Sequence, residues 1–230
     1  MAKALITTKP VSALAANAAW TSIVAVVTYQ LLLIALIFIR PDLDPYWHTL
    51  SEWALGPHGW IMSMAFLISA TSYGLLLVAV RSQVRGVVGA IGFAILAICF
   101  VGTFGVGVFT TDPFDIPKLT TTGILHIITG SSALMLLPFA ALLINLSLAL
   151  KNQAWARARR LMIWTAFLPP AGLAGFIVHL AIFVIPLGDN AHGPGVPLGW
   201  SVRFLFLTYM VWLIVLACQV LKLNASSDAN

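Results

Sequence analysis

Apolar residues in this chain come in six long runs, and polar residues are largely confined to the connections between them. The runs extend from Ala18 to Ile39, Gly59 to Val80, Gly86 to Phe109, Gly123 to Leu150, Leu161 to Pro186 and Ser201 to Leu221. A helix needs about 20 residues to cross a hydrocarbon core of about 30 Å, so each run is long enough to span a bilayer. Backbone groups in lipid must find their hydrogen-bond partners internally, so each run predicts a helix. The expected fold class is all-α: an integral membrane six-helix bundle, forming one domain over residues 1–230.

Punctuation in the connections refines this picture. Between the first two runs, Asp44 can cap a helix, Pro45 suits its first position, and Gly56 with Pro57 can end it. These signals predict a short outer interfacial helix between spans 1 and 2. His48, Ser51, Glu52 and Leu55 would share one face, and Tyr46, Leu50 and Trp53 would lie in the membrane interface. Pro169 and Pro170 predict a kink in the fifth span. Gly86, Gly89, Gly92, Gly102, Gly105 and Gly107 predict close helix approach, which would place the third span centrally in the bundle. Trp20, Trp155 and Trp164 at one boundary and Trp47, Trp53, Trp60 and Trp200 at the other read as an aromatic belt.

Composition removes the water-soluble alternative, because 60% hydrophobic and 8% charged residues leave too little polar surface to cover a chain of 230 residues. The net charge of +5 raises the question of nucleic acid. The basic residues are dispersed over short connections, with no stripe and no interleaved aromatics, so no nucleic-acid partner is expected. Their distribution orients the chain instead. Lys3, Lys9, Arg81, Arg85, Lys151, Arg157, Arg159, Arg160 and Lys222 fall on one side, and only Arg40, Lys118 and Arg203 on the other. By the positive-inside rule this predicts a multi-pass protein of the plasma (inner) membrane with cytoplasmic N- and C-termini, its partner being the lipid bilayer itself.

Candidate chemistry gathers toward the opposite, outer end. Asp42, Asp44, Glu52, Asp112, Asp115 and Asp189 lie there, as do His48, His58, His126, His179 and His192. His48 and Glu52 are four residues apart, a spacing that lets two side chains meet one ion or each other. His126 lies about 6 Å into the fourth span and His179 about 10 Å below the outer end of the fifth. Ionisable groups at such depths face the bundle interior and find partners.

Together with Ser51, Asp112 and Arg203 at neighbouring outer connections, these residues predict a polar cluster of His48, Ser51, Glu52, Asp112, His126, His179 and Arg203. Such a cluster serves a lipid-binding or small-molecule-binding accessory module. It also suits a metal-dependent membrane hydrolase acting on lipid, with His48, Glu52, Asp112, His126 and His179 around a zinc-like divalent metal. A small proton-coupled transporter is the third use. No spacing matches a zincin helix, a nucleophile elbow or a Walker loop.

Three short motifs carry a family likeness. Leu50-Ser51-Glu52 followed by Gly56 precedes the second span, Phe109-Thr110-Thr111-Asp112 follows the third, and Gly123-Ile124-Leu125-His126 opens the fourth. In order and placement they resemble the bacterial and archaeal six-span membrane proteins catalogued as domain of unknown function 998. The resemblance implies a six-helix bundle with a polar cluster of Ser51, Glu52, Asp112 and His126, and brings no assigned reaction. A fainter likeness to eukaryotic six-span proteins associated with lipid distribution and lysosomal membranes raises lipid as a ligand.

Overall fold

The computed structural model describes residues 11–228; Lys3 and Lys9, counted above toward one membrane face, lie outside them. Helices α1 (Ala13–Ile39), α2 (Gly59–Val80), α3 (Gly86–Val108) and α4 (Thr121–Lys151) each form one continuous span. The fifth span is divided between α5 (Arg159–Ala166) and α6 (Leu168–His179), and α7 (Leu198–Asp228) is the sixth. Six stretches are long and apolar enough to cross a membrane, and the chain is an all-helical, multi-pass membrane bundle. Helices α1 and α4 begin earlier than their apolar runs because capping, not hydropathy, decides where they start. Ser12 Oγ accepts from Ala15 N at 3.2 Å, and Thr120 Oγ1 accepts from Gly123 N at 3.1 Å.

Each span packs on the next, and α7 returns to α1, closing a ring. The end carrying residues 40–58, 109–120 and 185–197 holds nearly all the carboxylates and is called here the acidic end; the other is the basic end. Polar side chains hold the basic end together. Asn152 Nδ2 donates to the Gln83 carbonyl at 2.8 Å. Asn145 takes a bond from Trp212 Nε1 at 3.1 Å and gives one each to Met162 O and Thr165 Oγ1 at 3.0 Å.

Proline acts twice. Pro138 inside α4 has no N–H for the Leu134 carbonyl. The buried Tyr209 hydroxyl of α7 donates to that carbonyl instead, at 2.8 Å. Pro169 and Pro170 occupy the first turn of α6, and the expected kink falls at Phe167, the single residue between α5 and α6. Below the break α5 is held to α4 through Asn145. Above it α6 leans on α7, where Gly172 lies so close to Thr208 that no side chain would fit between them. The fifth span thus crosses from α4 to α7 and parts from α4 toward the acidic end.

Three expectations need correction. First, α3 is not central. Gly89, Gly92, Gly102 and Gly105 do bring it close to α4, but Val87, Ile91, Ile98, Val101, Phe104 and Val108 leave its other side exposed. Second, Trp53 and Trp155 are fully buried and serve the core instead of the belt, whereas Trp20, Trp60, Trp164 and Trp200 are exposed as anchors should be. Third, the short helix between α1 and α2 is a single 3-10 turn, Ser51–Ala54, with a separate turn before it. Asp44 caps that earlier turn, its Oδ1 accepting from Tyr46 N at 2.8 Å. Leu50 and Trp53 point into the bundle, because Thr49 and Glu52 close the turn locally and rotate its apolar side inward.

Candidate functional site

Thr49, Leu50, Ser51 and Glu52 form the hinge of the site. The Glu52 carboxylate reaches back to Thr49, accepting from its N–H at 2.6 Å and its hydroxyl at 2.9 Å, which is one half of a capping box. This tight turn sends neighbouring side chains in different directions. Ser51 enters a cavity inside the bundle, Glu52 faces a recess at the surface, and Trp53 goes into the core.

Outside contacts fix the loop. Arg203 Nη1 donates to the carbonyls of Pro45, His48 and Gly199 at 3.2, 2.9 and 3.0 Å, with its guanidinium 5.1 Å from the Trp53 ring centre. Arg40 Nη1 donates to Leu55 O at 2.7 Å, and its Nε and Nη2 grip Asp42 at 2.9 and 2.7 Å. The hydrogen bond from Arg40 holds the Asp42 carboxyl below the usual carboxylate range and raises Arg40 in return.

The cavity has a volume of about 370 Å³ and lies among all six spans at the acidic end. Its inner wall mixes polar side chains, Tyr29 from α1, Ser69 from α2, Thr103 from α3, His126 from α4 and Ser51 from the loop, with the buried apolar Leu50, Phe66, Val106, Ala133 and Val202. Its outer rim is mostly apolar. Ile127, Ser131 and Met135 form one exposed strip of α4, and half-buried Phe176 and Phe206 face them from α6 and α7. The cavity therefore opens sideways where the fifth span parts from α4, from about 9 Å to about 20 Å below the start of α4.

At the top of the cavity, His126 Nε2 is 2.8 Å from Ser51 Oγ, and its Nδ1 is 2.7 Å from the Phe109 carbonyl oxygen. A carbonyl only accepts, so in the neutral ring Nδ1 carries the proton and Nε2 holds the lone pair facing the serine hydroxyl. Phe66 stands edge-on to the imidazole with ring centres 6.3 Å apart.

The sequence model of one protein family, described as Protein of unknown function (DUF998), matches residues 23–219. The chain belongs to that family. No curated protein and no solved structure matches it.

This DUF998 chain divides its predicted polar cluster among separate partnerships. Ser51 and His126 are together. Asp112 is turned to the start of α4, where its oxygens accept from Thr120 N at 2.7 Å and Thr120 Oγ1 at 2.8 Å. The Asp112 carboxylate lies directly against Gly123, where a Cβ would collide with it. His179 Nε2 bonds the Pro197 carbonyl at 2.7 Å and fastens the fifth span to the approach of α7. His48 bonds the Asp44 carbonyl at 3.1 Å and stacks on Trp47 with ring centres 3.4 Å apart. Glu52 Oε1 pairs at 2.7 Å with His192, a residue the spacing arguments did not single out.

His48, Glu52 and His192 line the surface recess of about 420 Å³ with Arg40, Asp115 and Phe114, which stacks on His192 at 3.9 Å. Among the described residues no three His, Cys, Asp or Glu side chains are grouped to hold a metal ion. The donor set expected around a zinc-like ion is thus drawn to separate partners, and the geometry does not fit it.

Proposed function

We propose that this protein takes an amphiphile from the bilayer into its side-opening cavity, seating the polar part against Ser51 and His126 and leaving the apolar chain between α4 and the α6–α7 pair. The observation that carries this reading is the gathering of five polar side chains, Tyr29, Ser51, Ser69, Thr103 and His126, on the inner side of a cavity whose rim is mostly apolar and exposed within the span. A volume of about 370 Å³ accommodates a headgroup and the first part of a chain. The rest of the chain stays in lipid. Moving an acyl chain from bilayer to cavity gains little hydrophobic free energy, because both surroundings are apolar. Affinity and selectivity must then come from the hydroxyls and the imidazole.

The metal-centre reading lacks comparable support, since its ligands point to different partners. The relay reading lacks it as well: His179 bonds the Pro197 carbonyl, which passes no proton onward, while His126 is tied to Phe109 and Ser51 and not to His179. The acidic end is assigned to the outer face of the plasma membrane on the distribution of lysine and arginine.

A photoactivatable lipid with its reactive group near the ester tests the proposal in nanodiscs. Crosslinks should map to Ile127, Ser131, Phe176 and Phe206. Crosslinks confined to the outward faces of α1 and α3 would contradict it.

A further inference from the structure

We propose that Ser51 and His126 are a nucleophile and general base that cleave a carboxylic ester in the seated amphiphile. This rests on the amphiphile-binding reading and adds a reaction to it. The proton arrangement at His126 is the one a base requires: Nδ1–H is committed to the Phe109 carbonyl, and the Nε2 lone pair faces Ser51 Oγ at 2.8 Å. The carbonyl fills the orienting place that a carboxylate fills in a catalytic triad, fixing the tautomer without adding charge.

The bond is more than a strut between α4 and the loop. The loop is already fastened by Arg203 to Pro45 and His48, by Arg40 to Leu55, and by Glu52 to Thr49. Both reacting groups also line the cavity that opens sideways between α4 and the α6–α7 pair, at the end where the ester of a seated amphiphile would lie.

The chemistry balances with ester and water alone. Ser51 Oγ bonds to the ester carbonyl carbon as its proton passes to His126 Nε2. The C–O bond to the alcohol then breaks, and His126 returns the proton to the departing oxygen, leaving acyl-Ser51. Water adds to the acyl carbon with its proton going to Nε2. Collapse breaks the bond to Ser51 Oγ, which recovers the proton, and the carboxylic acid departs.

A long-chain alkyl fluorophosphonate, reacted with the full-length protein in nanodiscs and read by peptide mass mapping, tests this. The expected result is one adduct, on Ser51. It should be absent in Ser51→Ala, slowed about 10²-fold or more in His126→Gln, and unchanged in Asp112→Asn. Ser51→Cys, which keeps the small side chain, should be alkylated by a long-chain iodoacetamide if Ser51→Ala fails to fold. Wild-type protein that captures the photolipid yet carries no Ser51 adduct overturns the esterase proposal and leaves amphiphile binding standing. Labelling of folded His126→Gln at the wild-type rate also overturns it. Loss of both lipid capture and adduct in folded protein removes the two readings together.

Discussion

Both carboxylates that the sequence places near His126 are taken up by other partners. Asp112 holds Thr120, and Thr120 in turn caps α4 through Gly123 N. A negative charge at this position also suits the positive end of the helix dipole. Asp112→Ala should therefore lower stability by about 1–2 kcal/mol in thermal unfolding, while photolipid capture stays at the wild-type level. Loss of capture with unchanged stability would instead place Asp112 in the site. The identities and approximate depth of Ser51, Glu52, Asp112 and His126 were legible in the sequence, because membrane topology sorts polar groups to one end. Their partners were not. The decisive acceptor for His126 is a backbone carbonyl at Phe109, which leaves no residue-type signal. His192 sits in a Gly- and Pro-rich connection with no helical spacing to tie it to Glu52.

Helices were legible where the bilayer dictates them and less so where tertiary contacts do. Length and hydropathy located all six spans, since lipid permits only a narrow range of lengths. The glycines of α3 signalled close approach correctly, but glycine marks only the face that touches a neighbour and says nothing of the opposite face. Gly92 and Gly102 leave no room for a side chain: an added Cβ would lie 2.9 Å from Ile144 N and 2.7 Å from Thr129 O, both backbone atoms of α4. Gly102→Ala should cost about 1–3 kcal/mol by thermal unfolding in detergent. Gly175→Ala, with nothing within 4 Å, should be neutral or slightly stabilising. Equal effects of the two would mean that α3 does not press on α4 as described. The prolines were visible as a break, but the direction in which the fifth span departs depends on Asn145 below it and Gly172 above it. That divergence is what opens the cavity.

Across the whole molecule, charge is divided between the two ends: lysine and arginine predominate at one and carboxylates at the other. If the positive-inside rule orients the bundle, exposed Asp115 faces outward and exposed Ala156 faces the cytoplasm. With Cys99 and Cys218 replaced, a membrane-impermeant maleimide should label Asp115→Cys in intact cells and Ala156→Cys only after lysis; the reverse pattern would invert the topology. The function proposed for the cavity requires that it hold an amphiphile drawn from the bilayer. Native mass spectrometry of the protein released from nanodiscs tests it most directly, comparing wild type with Gly130→Phe, which fills the cavity from α4 beside Val106. The expected result is a retained lipid on wild type and its loss from a Gly130→Phe variant that still unfolds cooperatively. The same lipid occupancy in both proteins, or none in either, would contradict it.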